Sequence, residues 1–188
     1  MKVGKHRTNI KLNWQQPSEF KMFFLILASM LVSATTLKWL LRMYPPLLFQ
    51  RIWTIGFLPD FKGVRVKVNK SLLNKNYNGS IFGGTIFAAA DPFFPVLFHQ
   101  ILNSDRKRNL KVWSKSAKID FLKPAFTDLH FEISIDDKAI QEAKETLIVM
   151  GKYEQFFPID FYNNSGELCV SVLVQVYVRD LDLSKTLI

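Results

Sequence analysis

The stretch "GSIFGGTIFAAADPFFPVLF", residues 79–98, decides the fold. It contains a pair of glycines at residues 83–84 and one carboxylate, Asp91, the only Asp, Glu, Lys or Arg between Lys75 and Asp105. A helix that is apolar on all sides is buried in a protein core. A carboxylate in such surroundings needs a partner or a raised pKa. The stretch therefore predicts a core helix over about residues 81–102 with an acid in its middle.

The rest of the chain predicts strands that surround this helix. Five valines alternate with other residues near the C-terminus, which is the period of a strand with one apolar face. The predicted strands are residues 51–57, 63–68, 111–122, 129–135, 148–162 and 167–180, with one short charged helix at 136–147. For the core helix, Asn78 or Ser80 is the predicted N-cap, and Pro92 and Pro95 are predicted to bend or interrupt it. The fold class is α+β, an antiparallel sheet wrapped around a long helix.

The positive charge of the chain belongs to its N-terminal part. The net charge is +9, of which residues 1–51 carry +7 and the remaining 137 residues only +2. No zinc finger, aromatic RNA-binding signature or basic helix with heptads accompanies the charge, which argues against nucleic-acid binding. The single cysteine, Cys169, excludes an intrachain disulfide framework.

Residues 22–37, "MFFLILASMLVSATTL", leave three interpretations open. They resemble the apolar part of a signal peptide, with a possible cut after Ala34. They also suit an interfacial helix on anionic lipid, helped by the basic residues before them. The third interpretation is a helix packed on its own domain or across a dimer, since the segment is shorter than the roughly 20 residues that span a bilayer. We expect an extension over residues 1–40, helical from about residue 18, and a helix end at Pro45-Pro46.

The glycine pair and the acid fit one kind of chemistry. The first turn of a helix offers unpaired N–H groups, and Gly83 and Gly84 let a ligand come close to them. Such donors suit a carbonyl oxygen that becomes negative during acyl transfer. Asp91 follows about two turns later on the same helical face. The same residues also fit a purely structural role, in which the glycines serve close packing and the acid accepts hydrogen bonds across an interface.

Three segments carry a resemblance to a known family. "NKNYNGSIFGGTIFAAAD" (residues 74–91) followed by "AKIDFLKPA" (117–125) is similar to hot-dog-fold thioesterases, in particular the PaaI-like branch. With "LLRMYPPLL" (40–48), the chain resembles more closely a bacterial thioesterase-like subfamily catalogued as a domain of unknown function. The resemblance covers roughly residues 37–180. It implies a single hot-dog domain over about 41–188 and a homodimer, or a dimer of dimers, with sites at the subunit interface.

The resemblance assigns site residues position by position. Asp91 matches the catalytic acid, Gly83 or Gly84 the backbone donor to the thioester carbonyl, and Asn76 the family asparagine near the thioester. Phe82 stands where the PaaI-like branch has histidine, and Ile81 stands where some members of the closer subfamily have one. Together with Phe87, these two residues are the predicted substrate contacts.

The predicted function is hydrolysis of an acyl-CoA or related thioester by water that Asp91 assists, without a cofactor or metal. The alternatives are a non-catalytic acyl-binding protein or a membrane-associated scaffold that acts through residues 1–40. The expected location is cytoplasmic, with peripheral membrane contact through that extension as a further possibility. His99, His130 and Cys169 are interpreted as structural, because none has neighbours at metal-ligand or catalytic spacing.

Overall fold

A computed structural model describes residues 32–104 and 108–183 of the chain. The helices are α1 (Ala34–Met43), α2 (Pro45–Phe49), α3 (Gly83–Ala90), α4 (Phe93–Leu102) and α5 (Asp137–Met150). The strands are β1 (Ile52–Phe57), β2 (Gly63–Val68), β3 (Leu110–Phe121), β4 (Leu129–Ser134), β5 (Lys152–Asn163) and β6 (Leu168–Asp180). A short 3₁₀ turn, Pro59–Phe61, joins β1 to β2.

The strands form one antiparallel sheet in the order β1-β2-β4-β5-β6-β3. Strands β1 and β2, predicted at residues 51–57 and 63–68, form an antiparallel hairpin with Ile52 opposite Val68. In β6 the alternating valines at 170, 172, 174, 176 and 178 are all buried, as the period of two predicts. The α+β class and the sheet wrapped around a helix are therefore confirmed.

The core helix is present but divided. Helix α3 ends before Asp91, and α4 begins after Pro92, because proline lacks the N–H that would continue the ladder. The predicted N-cap was wrong: Phe82 occupies that position without a side-chain hydrogen bond. Ser80 instead pairs with Asn76 in the preceding loop.

Helix α4 fills the centre of the domain with aromatic side chains. Phe94 and Phe98 both pack on Phe157 of β5, with ring centroids 4.8 and 5.3 Å apart. Phe93 meets Phe131 of β4 at 5.8 Å in an edge-on arrangement. Aromatic pairs at these separations add to the stabilisation from burial alone. The sheet thus packs more extensively against α4 than against α3.

Among the described residues, one stretch, Gly83–Leu102, is long and apolar enough to cross a membrane by length and composition, with a mean hydropathy of 1.3. It is the divided core helix α3–α4. Its buried side chains, among them Phe93, Phe94, Leu97 and Phe98, belong to the hydrophobic core of the domain. This packing is typical of the core helix of a water-soluble domain.

Helix α1 packs on the domain through Leu37 and Leu41, which are buried in the same hydrophobic core. It ends at Met43, and Pro45 opens α2, as expected from the proline pair. The predicted domain boundary at residue 40 falls inside α1. The predicted extension before residue 32 lies outside the described residues, so its three interpretations stay predictions.

Helix α5 is longer than its predicted range. Asp136 caps its start by accepting a hydrogen bond from Ala139 N. The residues Ile148–Met150, predicted as the beginning of a strand, are its last turn. Gly151 then ends the helix with a left-handed backbone, φ 66°.

Candidate active site

Helix α3 keeps one face in solvent. Gly84, Phe87 and Asp91 lie on this exposed face, three and four residues apart. Thr85, Ile86, Ala89 and Ala90 point the other way and are buried. The helical period thus gathers a predicted backbone donor, a predicted substrate contact and the predicted acid on one open surface.

Asp91 sits at the junction between α3 and α4. Its N–H continues the helical ladder by donating to Phe87 O at 3.1 Å. In a regular helix its carbonyl would accept from the N–H of Pro95, which proline lacks. The hydroxyl of Ser114, on β3, donates to that carbonyl at 2.7 Å instead. This bond ties the junction to the strand beside it.

A bulge in β3 lies at the same place. Ser114 pairs with Val176 and Ser116 pairs with Gln175, which leaves Lys115 as the extra residue. A bulge bends a strand and re-aims its side chains, and bulges are over-represented next to active sites. Here the bulge immediately follows the serine that holds Asp91.

A small pocket of about 90 Å³ opens beside Asp91. Its lining combines helix, bulge and sheet: Phe87, Ala90, Asp91, Ser114, Lys115, Ser116, Ala117 and Val174. Burial near these atoms raises the pKa of Asp91, and a hydrogen bond from the side chain of Ser114 partly opposes the rise. The hydroxyl has a single proton, which the 2.7 Å contact directs to the Asp91 carbonyl. We therefore regard desolvation as the dominant effect on the carboxyl.

Tyr44 is a further neighbour that sequence reasoning did not find. Burial raises the pKa of its hydroxyl, and the negative charge of Asp91 raises that pKa further. A charge acts in this way only over short distances. The turn between α1 and α2 therefore comes within electrostatic reach of the acid.

The two glycines are both approached by phenylalanine rings. A Cβ on Gly84 would overlap Cε1 of Phe82, and a Cβ on Gly83 would lie 3.0 Å from Cζ of Phe121. Each of these two rings is 57% exposed. The glycines begin α3, so their N–H groups precede the first bond of the helix, which Thr85 N donates to Phe82 O at 2.9 Å. They thus combine close packing with the backbone donors that a carbonyl would need.

Asn76 and Ile81 have local roles in the loop before α3. The Asn76 amide donates to Ser80 Oγ at 2.9 Å, and its oxygen accepts from Ser80 N at 3.2 Å. Ile81 is 3% exposed, and its N–H donates to Ala125 O at 2.9 Å. The structure uses both residues to shape the loop, and their predicted contact with a substrate stays a prediction.

The residues interpreted as structural lie apart from this pocket. Cys169 is fully buried, and its burial raises the pKa of the thiol. Burial lowers the pKa of His99. Within residues 32–104 and 108–183, no group of three His, Cys, Asp or Glu side chains is placed to hold a metal ion.

Comparison with known proteins places the chain in a family. Residues 51–178, more than half of the chain, match the model of a domain of unknown function, DUF4442. No curated protein sequence matches the chain.

Solved structures share the fold at low sequence identity. A Pseudomonas aeruginosa protein of unknown function, described as a probable thioesterase, is 19% identical with a TM-score of 0.71, covering 79% of this chain and 97% of its own. A protein of unknown function from Chlorobaculum tepidum is 13% identical with a TM-score of 0.65, covering 78% and 94%. A thioesterase from Haemophilus influenzae is 14% identical with a TM-score of 0.59, covering 80% and 92%. The chain belongs to the DUF4442 family and has the hot-dog fold of thioesterase-like proteins.

Proposed function

We propose that the protein hydrolyses an acyl-CoA or a related thioester. The observation that carries this proposal is the exposed face of α3, where Asp91, with its raised pKa, borders an open pocket. A carboxylate with a raised pKa is a stronger base near neutral pH than an ordinary one. The descriptions of the Pseudomonas and Haemophilus proteins as thioesterases support the reaction class.

The distance along α3 argues that two subunits complete each site. Seven residues separate Gly84 from Asp91, which corresponds to roughly 10 Å along a helix. An oxyanion needs its donors at about 3 Å, and the attacking water lies about as close to the same carbon. One helix therefore does not supply both groups to one thioester. In a two-fold dimer, antiparallel copies of α3 would place Asp91 opposite Gly84 of the partner subunit.

The edge of the sheet supports the dimer. Strand β3 is the last in the sheet order, so one of its edges is open to pair with another strand. Exposed apolar side chains line this side of the domain: Phe82, Phe87, Phe121, Leu122 and Phe126. Exposed apolar patches mark interaction or ligand sites. We infer that pairing through β3 buries part of them, and that the rest contact an aliphatic or aromatic acyl group.

The reaction follows from these positions. Asp91 takes a proton from water as the water oxygen attacks the thioester carbonyl carbon. The N–H groups of the glycine pair stabilise the negative carbonyl oxygen. The intermediate then collapses, breaking the carbon–sulfur bond, and the proton goes to the leaving thiolate. The products are a carboxylic acid and a thiol, and no cofactor takes part.

A non-catalytic acyl-binding protein is the second candidate, because Phe82 replaces the histidine of the PaaI-like branch. Its ring lies against Gly84, so an apolar group occupies the neighbourhood of the predicted backbone donor. Such a protein would keep the pocket for an acyl chain but would lack the polar side chain that assists the reaction at the thioester carbonyl.

An assay of thiol release from a panel of acyl-CoAs separates the two candidates. The wild type is compared with Asp91→Asn and with the control Glu132→Gln, an exposed acid of the inner strand β4 that is paired with Arg65. We expect Asp91→Asn to lower turnover by about 10²–10⁴-fold, the usual contribution of a general base, and Glu132→Gln to leave it unchanged. Acyl-CoA binding without turnover in the wild type would refute the enzyme and support the binding protein.

A further inference from the structure

A chain of alternating cations and aromatic rings covers the surface formed by α1 and β1. Arg42 Cζ lies 5.1 Å from the ring centre of Trp39 and 5.4 Å from that of Trp53. Arg51 Cζ lies 5.3 Å from Trp53, and Lys38 Nζ lies 5.7 Å from Trp39. We call these five residues the cationic ladder. Such contacts hold cations over rings while leaving charge available at the surface.

The ladder is fixed to the sheet. Arg42 Nε donates to Thr54 O at 2.8 Å, on β1, the strand at the opposite edge from β3. The guanidinium has further N–H donors beyond Nε. Trp39 remains 54% exposed, and Met43, one helical turn later, is 64% exposed. Helix α1 thus presents both positive charge and apolar side chains to solvent.

A loop beside the ladder presents two adjacent leucines. In residues 70–77, which we call the leucine loop, Leu72 is 82% exposed, Leu73 is 70% exposed and Tyr77 is 98% exposed. Scattered apolar residues on a surface are ordinary, but neighbouring leucines at such exposure are not.

Hydrogen bonds hold the leucine loop in place. Asn74, 3% exposed, donates to Gln50 O at 2.8 Å and to Asn69 O at 3.0 Å. Its side-chain oxygen accepts from Ser71 N at 2.9 Å. The main-chain N–H of Asn69 donates to Arg51 O at 3.0 Å. The loop is therefore fastened to the segment that carries one end of the ladder, and its leucines are held outward.

The charge of this combined surface has one sign. Residues 38–53 and 70–77 contain five Lys or Arg and no Asp or Glu. An acid beside the leucine loop is Asp128, which accepts from Lys70 N at 2.8 Å and pairs with Lys67 Nζ at 2.8 Å. Lys67 neutralises Asp128, so the surface keeps its positive charge.

We propose that the cationic ladder and the leucine loop together dock the protein on a bilayer surface that contains anionic phospholipid. Leucine side chains at the tip of a rigid loop enter the boundary of the acyl chains, and indole rings lie at the level of the headgroups. The lysines and arginines meet the negative surface potential of the lipid. Two adjacent exposed leucines favour lipid over nucleic acid, which is bound through its phosphates and through bases stacked on aromatic rings.

Co-sedimentation of the full-length protein with vesicles tests the proposal. The vesicles contain phosphatidylcholine alone, or phosphatidylcholine and phosphatidylglycerol in equal parts. We expect binding to the anionic vesicles, weakened by added salt because the Debye length shortens. The double variant Leu72→Ser/Leu73→Ser should bind at least about tenfold more weakly, from the apolar area that no longer enters the lipid. Arg51→Gln should bind about fivefold more weakly, the effect of one cation near such a surface.

A matched control is Ile148→Ser/Val149→Ser, which removes another adjacent pair of exposed apolar residues, 62% and 71% exposed, at the end of α5. We expect it to bind as the wild type does. Thermal unfolding of each variant verifies that its fold is retained.

Four outcomes would overturn the proposal. They are equal binding to neutral and anionic vesicles, undiminished binding by the leucine variant, an equal loss in the control variant, or no binding by the wild type. If the leucine variant changes the oligomeric state but not vesicle binding, the surface binds a second copy of the chain instead of lipid.

Discussion

Replacing Ser114 by alanine removes the donor that compensates for Pro95. The Asp91 carbonyl then loses its 2.7 Å hydrogen bond from the Ser114 hydroxyl, and the junction between α3 and α4 loses its tie to β3. We expect two effects, a small loss of stability and a larger loss of thioester hydrolysis, because the same bond positions the acid.

The magnitude follows from the exposure of the junction. A net hydrogen bond contributes about 0.5–1.5 kcal/mol, and water partly replaces one at an exposed carbonyl. The free energy of unfolding should therefore fall by about 1 kcal/mol. For a chain of this size, that change corresponds to roughly 2–4 °C in Tm.

A double-mutant cycle, measured by urea denaturation, isolates the bond. Pro95→Ala restores an N–H one turn after Asp91, so the carbonyl regains a helical partner. In that background Ser114→Ala should cost less than about 0.5 kcal/mol, leaving most of its effect as coupling between the two sites. Ser116→Ala, which removes an exposed bond to Gln175, serves as the control. An equal cost of Ser114→Ala in both backgrounds would refute the reasoning.

Three further perturbations test other parts of the structure. Burial raises the pKa of Asp91, so the folded protein holds this proton to higher pH than the unfolded chain does. The associated stability is present below the unfolded pKa and is lost as pH rises through the folded pKa. In strong acid Asp91→Asn should therefore have the same free energy of unfolding as the wild type, and toward neutral pH it should become the more stable of the two. Urea midpoints that diverge in the opposite direction would contradict this sign. Gly84→Ala would overlap Cε1 of Phe82 and displace the ring; we expect kcat/KM to fall about tenfold or more while the helical propensity of alanine keeps Tm nearly unchanged, and unaltered kinetics would argue against a role for this position. Asn74→Ala leaves two half-buried carbonyls and one N–H without their partner. Unfolding by urea should show a loss of about 2–4 kcal/mol, whereas Asn78→Ala, at an exposed position just after the leucine loop, should cost little. Equal costs would disprove the anchoring role.

The main elements could be predicted from the sequence because their signals are local. An apolar stretch that offers no polar face favours the core, where α4 and one face of α3 lie, and the alternating valines of β6 have to lie on one side of a sheet. The glycine pair and Asp91 were also visible, since an acid alone among apolar residues stands out in any window. The last turn of α5 was missed although its signal was present: Gly151 marks a helix end, but Ile148 and Val149 favour a strand.

The sequence by itself determined a core helix, its enclosing strands and the acid in the middle. Tertiary structure alone decided which face of α3 stays exposed to solvent. It also decided that the Ser114 hydroxyl donates to the main-chain carbonyl of Asp91, and that Asn74 fastens the leucine loop to Gln50. The physical reason is separation along the chain. Asp91 and Ser114 are 23 residues apart, and their pairing depends on strand register and on a bulge that no local pattern encodes.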